Sequence, residues 1–226
     1  MEKLYKKRIA DALIGLAITV TVICMAVSIT LMSKPLYYFD IEHLNIAEKS
    51  GYTKEQCVRN YDILIDYNLI GGPDKLEFAD MGMSEQGRIH FEEVKAIFTA
   101  AQWIGAAGTA AVILLLCRRR DPHWLKSSVI SASAICAAVL TAIIVDWRGT
   151  FAAMHEIFFR NDYWIFNPDT DPIIRLLPNM FFMHCGIMII GIVLLINIIF
   201  WVIYRKRIKW KIQNSRQRFS DSTTEK

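Results

Sequence analysis

The chain has 226 residues, is 54% hydrophobic and carries a formal charge of +4, from 26 Lys and Arg against 22 Asp and Glu. Its mean hydropathy is positive, +0.28, and the apolar residues are bunched into long runs rather than dispersed as in a soluble domain of this length. An ordinary soluble enzyme is thereby excluded, and nothing besides a basic C-terminal tail suggests nucleic acid binding, so none is expected.

Residues 1–8 hold Lys3, Lys6, Lys7 and Arg8 and precede the first apolar run, 9–32. A bilayer core takes about 20 apolar residues as a helix, and this run meets that length. Ala26-Val27-Ser28 resembles a weak cleavage site, but the run exceeds the roughly 7–15 residues of a signal core, so an uncleaved anchor is expected. Residues 33–95 are too long and too patterned for a simple connection, and are acidic, with 12 Asp/Glu against 7 Lys/Arg. Asp40 is expected to cap a short helix over 41–50 that closes at Gly51. Thr53-Lys54-Glu55-Gln56 fits a capping box. The helix it starts has Val58, Tyr61, Ile65 and Leu69 at amphipathic spacing and ends at the turn Gly71-Gly72-Pro73-Asp74. Tyr61 fits the core of this region as well as a substrate contact. Ser84 is expected to cap a helix that runs through His90 into the second apolar run, 96–117. The whole segment reads as a mostly helical cap.

Residues 118–126 carry Arg118, Arg119, Arg120 and Lys126, the third apolar run covers 127–147, and the fourth covers 179–204. The fold class is therefore an all-α membrane protein with four transmembrane helices and a cap between the first two. Spans two and three are rich in small residues, among them Gly105, Gly108, Ser127, Ser128 and Ala138, which allow helices to approach closely. With a short turn between them, these spans are expected to form an antiparallel hairpin. The basic residues lie before span one, between spans two and three, and in the tail 205–226. The positive-inside rule puts these regions, and both termini, in the cytoplasm. The cap and residues 148–178 then face outward. The tail reads as a topology anchor and headgroup contact. Spans two to four lack the central charges of an ion path, and span one has only Asp11 near its cytoplasmic end. The five cysteines show no CxxC spacing, so neither a zinc site nor a disulfide framework is indicated.

Five histidines remain. His123 reads as a cytoplasmic loop residue and His43 as a surface residue of the cap. His184, one turn into the fourth span, reads as a packing residue or a site-lining one. His90 and His155 are expected near each other at the outer interface, at the adjacent ends of the hairpin. His155 lies in MHEIFFRNDYWIF (154–166), whose five aromatics suit an interfacial belt. Lipid ester groups lie at that depth, and a neutral imidazole there can accept a proton, its reference pKa being about 6.5. Glu93 shares a helix face with His90 and is a candidate to orient its ring. No GxSxG elbow and no HExxH pattern occurs, so no nucleophilic serine and no metal ligand set is assigned.

The pieces SEQGRIHFEEVKAIF (84–98), MHEIFFRNDYWIFNPDTDPIIRLLPNMFF (154–182) and GYTKEQCVRNYDILIDY (51–67), set on four spans, resemble an integral membrane family. That family includes the lipoprotein intramolecular transacylases of Gram-positive bacteria, and the resemblance spans roughly residues 9–204. The chain departs from the family at three places: Glu93 stands where Asp is frequent, Phe91 where Met follows the first histidine, and Met154 where Phe precedes the second. None of these removes a histidine. The resemblance implies a bacterial plasma-membrane acyltransferase working at the outer leaflet, without acyl-CoA, metal or other cofactor. Its partners would be a diacylglyceryl lipoprotein with a free N-terminal cysteine and the membrane lipid. The sn-2 acyl chain would move from glycerol to the cysteine amine, leaving a lyso-form lipoprotein. The family's essential histidines map to His90 and His155. Arg148, Asn161, Trp164 or the second imidazole are candidates to stabilise the oxyanion. Glu93 and His184 are candidate supports, and Asp162, Asp171 and Arg175 either hold the second outer loop or lie on its surface. Competing expectations are an acyl hydrolase or other lipid acyltransferase, and a non-enzymatic accessory protein or receptor with an acidic cap.

Overall fold

The computed structural model describes residues 1–119 and 121–224; Arg120 and residues 225–226 lie outside them, as do the side chains of Lys3 and of residues 218–224. In chain order the helices are α1 (Glu2–Met32), α2 (Lys34–His43), α3 (Ile46–Ser50), α4 (Lys54–Asn68), α5 (Glu85–Arg118), α6 (His123–Val145), α7 (Trp147–Phe158), α8 (Ile173–Leu176) and α9 (Asn179–Thr224). No strand occurs among the described residues. Helices α1, α5, α6 and α9 are each long and apolar enough to cross a membrane. The protein is an all-α, multi-pass membrane protein.

The bundle is built around α1, along which α5, α6 and α9 all pack, while α6 also packs on α9. The consecutive helices α5 and α6 do not pack along each other, so the expected hairpin is corrected. The physical reason lies in the small residues. A Cβ on Gly105 of α5 would come within 3.2 Å of the Met25 backbone nitrogen, and one on Gly15 of α1 within 2.7 Å of the Ser128 nitrogen. Thr19 adds a donated hydrogen bond to the Ser128 carbonyl at 3.2 Å. The small residues of α5 and α6 do make close helix contacts, but both use them on α1, which lies between. Asn197 joins α9 to α6 by donating to the Ser133 hydroxyl at 2.9 Å. Outside the bundle, Leu13, Ile113, Ile144 and Leu195 are exposed, as suits a lipid-facing surface.

Above one end of the bundle, α2, α3, α4 and α8 share a core with the start of α9. Tyr37, Ile46, Ile173 and Leu176 are fully buried or nearly so, and the Tyr37 hydroxyl donates to the Leu176 carbonyl at 3.0 Å. Tyr61 stacks on Tyr37 with centroids 3.8 Å apart, which makes it a core residue of the cap. The capping box forms as expected: Thr53 Oγ1 accepts from Gln56 N at 3.2 Å and Gln56 Oε1 from Thr53 N at 2.9 Å. Asp40 is corrected. Helix α2 starts earlier, with Pro35 in its first turn, where a missing N–H costs nothing. Asn45, at φ 53°, separates it from α3, which closes at Gly51 at φ 78°. Asp40 therefore sits inside α2, fully buried, rather than at a helix start.

Two features carry the cap end of the bundle toward a site. Helix α5, capped by Ser84 whose Oγ accepts from Gly87 N at 3.0 Å, has 34 residues. At about 1.5 Å per residue it outruns a hydrocarbon core of about 30 Å by roughly 20 Å, so its first turns stand above the apolar span. At the end of α6, Asp146 turns extended and its carboxylate accepts from Gly149 N at 3.0 Å, starting α7 afresh. Trp147 Nε1 donates to the Asn179 side chain at 2.7 Å, and Phe151 packs on Phe182 at 5.2 Å. These contacts tie α7 to the start of α9.

Candidate active site

His90, on the projecting part of α5, and His155, in the last turn of α7, face each other with ring centroids 6.0 Å apart and planes 32° apart. Both are buried, with 4% and 8% of their surface exposed. Their expected proximity holds, but not through a hairpin. Helix α7 turns away from α6, and it brings His155 to α5 with the help of the chain that follows it.

The His155 ring is fixed by its own helix. Its Nδ1 lies 2.8 Å from the Phe151 carbonyl oxygen. A carbonyl only accepts, so Nδ1 carries the proton and donates, and Nε2 keeps its lone pair. Burial pushes the His155 pKa below the ordinary imidazole value, opposed in part by the bond to Phe151. The ring is thus neutral at neutral pH and able to take up a proton at Nε2. Trp164 stacks on it with centroids 4.6 Å apart and planes 26° apart.

His90 sits among aromatic edges: Phe159 at 4.7 Å, Phe166 at 5.4 Å and Phe91 at 5.8 Å between centroids. Its Nδ1 is buried without a hydrogen-bond partner, and so is Nε1 of Trp164. Buried polar atoms are paired in the great majority of cases, so each unpaired one calls for an explanation. Both belong to rings packed about His155, whose centroid lies 6.0 Å from that of His90 and 4.6 Å from that of Trp164.

The remaining candidates divide. Asn161 joins the site from the loop after α7, its Nδ2 donating to both Glu93 oxygens at 3.0 and 3.2 Å. Its Oδ1 accepts from Tyr163 N at 3.1 Å. Glu93 therefore holds this loop rather than the His90 ring, a correction to the expectation drawn from their shared helix face. Arg148 is exposed in the first turn of α7, about 10 Å along the helix from His155. His184 belongs to another cluster: its Nδ1 lies 2.8 and 2.9 Å from the two Asp40 oxygens, and its ring 5.9 Å from that of His43. It links α9 to α2. Asp162 is exposed, and Arg175 pairs on the surface with Asp169 at 3.0 Å. Phe159 and Phe166, expected as part of an interfacial belt, pack on His90 instead, and Phe151 carries no mark in the sequence, although it stands one helical turn before His155, the spacing that lets its carbonyl meet that ring.

The family model for the lipoprotein intramolecular transacylase Lit matches residues 12–182. The chain belongs to this family. Among solved structures it is similar to the membrane integral lipoprotein intramolecular transacylase Lit from Bacillus cereus, at 33% identity, covering 90% of this chain and 98% of that one, with a TM-score of 0.80. Two further structures of that protein each carry one histidine replaced, by arginine or by alanine. They match at 32% identity with TM-scores of 0.74 and 0.73, covering 94% and 93% of this chain and 98% and 99% of theirs. No curated protein matches. As a lipoprotein intramolecular transacylase family member the chain is a membrane acyltransferase. The matched residues contain the cap, most of α1, the whole of α5 and α6 and the whole histidine site, and stop in the first turn of α9.

Proposed function

We propose that the chain moves the sn-2 acyl chain of a diacylglyceryl lipoprotein to the α-amino group of its N-terminal cysteine, and that His90 and His155 carry the proton transfers. The observation that carries this is the buried histidine pair, one ring locked with Nε2 free, inside an aromatic enclosure suited to an acyl ester. An N-terminal amine has a reference pKa of about 7.7–8.0, so it needs a base to attack efficiently. His155 Nε2 takes the amine proton as nitrogen bonds to the ester carbonyl carbon. The resulting oxyanion is met by Trp164 Nε1–H, a group that can only donate. Collapse breaks the bond to the glycerol oxygen, which takes the ring N–H proton of His90 as the other nitrogen of that ring accepts the proton held by His155, so both rings end neutral. Donor and acceptor belong to one molecule, so the enclosure supplies mainly orientation. Asn161 and Glu93 hold the loop that presents Trp164, while His184 supports the joint between cap and bundle and Arg148 lies at the start of α7, away from the pair. The basic clusters at the other end of the bundle support a site at the outer leaflet of a bacterial plasma membrane and cytoplasmic termini.

The test is mass spectrometry of a reporter lipoprotein's N-terminal peptide from a host that leaves lipoproteins as diacyl forms with a free amine. Expressing this chain should move one acyl group to the amine at unchanged total mass, and His90→Ala and His155→Ala should each abolish the shift. Loss of one acyl mass would instead identify a hydrolase. An unchanged peptide with correctly inserted protein would refute the proposal.

A further inference from the structure

The histidines come from elements 65 positions apart in sequence, and something must fix their separation. Asp171 stands where the two elements meet. It lies just after the loop that follows α7, and only 3% of its surface is exposed. Its Oδ1 accepts the backbone N–H of Ser84, the N-cap of α5, at 2.8 Å, and its Oδ2 accepts the Thr170 hydroxyl at 2.7 Å. A carboxylate at a helix N-terminus also meets the positive end of the helix dipole. The approach requires Gly87: a Cβ there would collide with the Asp171 carboxylate.

Resting on the assignment of the histidine pair above, we propose that Asp171 is a positioning residue for the transfer reaction. It ties the loop after His155 to the first turn of the helix that carries His90, and so sets the spacing of the pair. The test measures kcat and KM for acyl transfer by the full-length protein in lipid bilayers. Asp171→Ala should lower kcat at least tenfold with KM within threefold. Asp171→Asn should recover most of it, since an amide oxygen still accepts from Ser84 and its NH2 can donate to Thr170. If Asp171→Ala does not fold, Gly87→Ala decides: its methyl displaces the carboxylate without deleting it and should give the same loss of kcat. A folded Asp171→Ala or Gly87→Ala within twofold of the parent, or no recovery by Asn, would overturn the proposal. Full activity of His90→Ala and His155→Ala would instead remove the site assignment itself.

Discussion

Replacing Trp164 by Phe deletes one N–H and leaves an aromatic plane on His155. The indole Nε1 is buried and has no protein acceptor, so the substitution breaks no hydrogen bond of the resting protein. The stacking at 4.6 Å is largely kept, and an aromatic pair contributes only about 0.5–1.5 kcal/mol beyond its buried area. A role in packing alone therefore limits the loss to about tenfold. Loss of an oxyanion donor costs about 10²–10³ in kcat, some 2.7–4 kcal/mol. The two magnitudes separate the roles. The assay is the initial rate of acyl transfer on a synthetic diacyl lipopeptide, followed by mass spectrometry over a range of substrate concentrations. Trp164→Phe should lower kcat by about 100-fold with KM little changed, and Trp164→Ala should impair both. A Trp164→Phe variant that keeps more than about a tenth of the parent kcat would refute the assignment of this N–H to the oxyanion.

Three further outcomes are expected. Folded His155 releases its proton at lower pH than unfolded His155, whose reference pKa is 6.5. Between those two values the unfolded chain binds more protons, so stability falls as pH drops below about 6.5 and levels off once the folded pKa is passed. Burial lowers the His90 pKa too, to about 4, so His155→Phe should lessen this slope in thermal midpoints taken from pH 7.5 to 5 without removing it, and an unaltered slope would count against a contribution from His155 burial. Asn161→Asp should depress transfer more than Asn161→Ala, because it sets a second carboxylate about 3.0 Å from Glu93; the reverse order in a rate assay would contradict that contact. Gly15→Ala should lower the unfolding midpoint in detergent by an amount typical of overpacking, about 1–3 kcal/mol. Gly191→Ala, whose added Cβ meets nothing within 4 Å, should not. Equal midpoints would place the close contact elsewhere than between α1 and α6.

The spans were legible because length and apolarity alone decide whether a helix can cross a bilayer. The histidines were legible because each stands just outside an apolar run in an aromatic context and in matching motifs. What failed was partner choice. Gly105, Gly108 and Ser128 announce that something comes close, yet their side chains carry no label for which helix, and α1 proved to be that helix for both neighbours. Asp40 has the residue type of a helix cap, but its partner His184 is 144 positions away, beyond any local pattern. Glu93 shares a face with His90, but Asn161, 68 positions on, takes its carboxylate. The capping box at Thr53 succeeded for the opposite reason, since both its hydrogen bonds close within three residues.

The most direct measurement uses purified protein in bilayers and a diacyl lipopeptide with a deuterated sn-2 chain and a free cysteine amine. Tandem mass spectrometry then locates the label. The account predicts that the label appears on the amine as an amide, with total mass conserved and a free hydroxyl left at sn-2, and that His155→Ala stops the transfer. Label released as free fatty acid, or transfer of the unlabelled sn-1 chain, would contradict it.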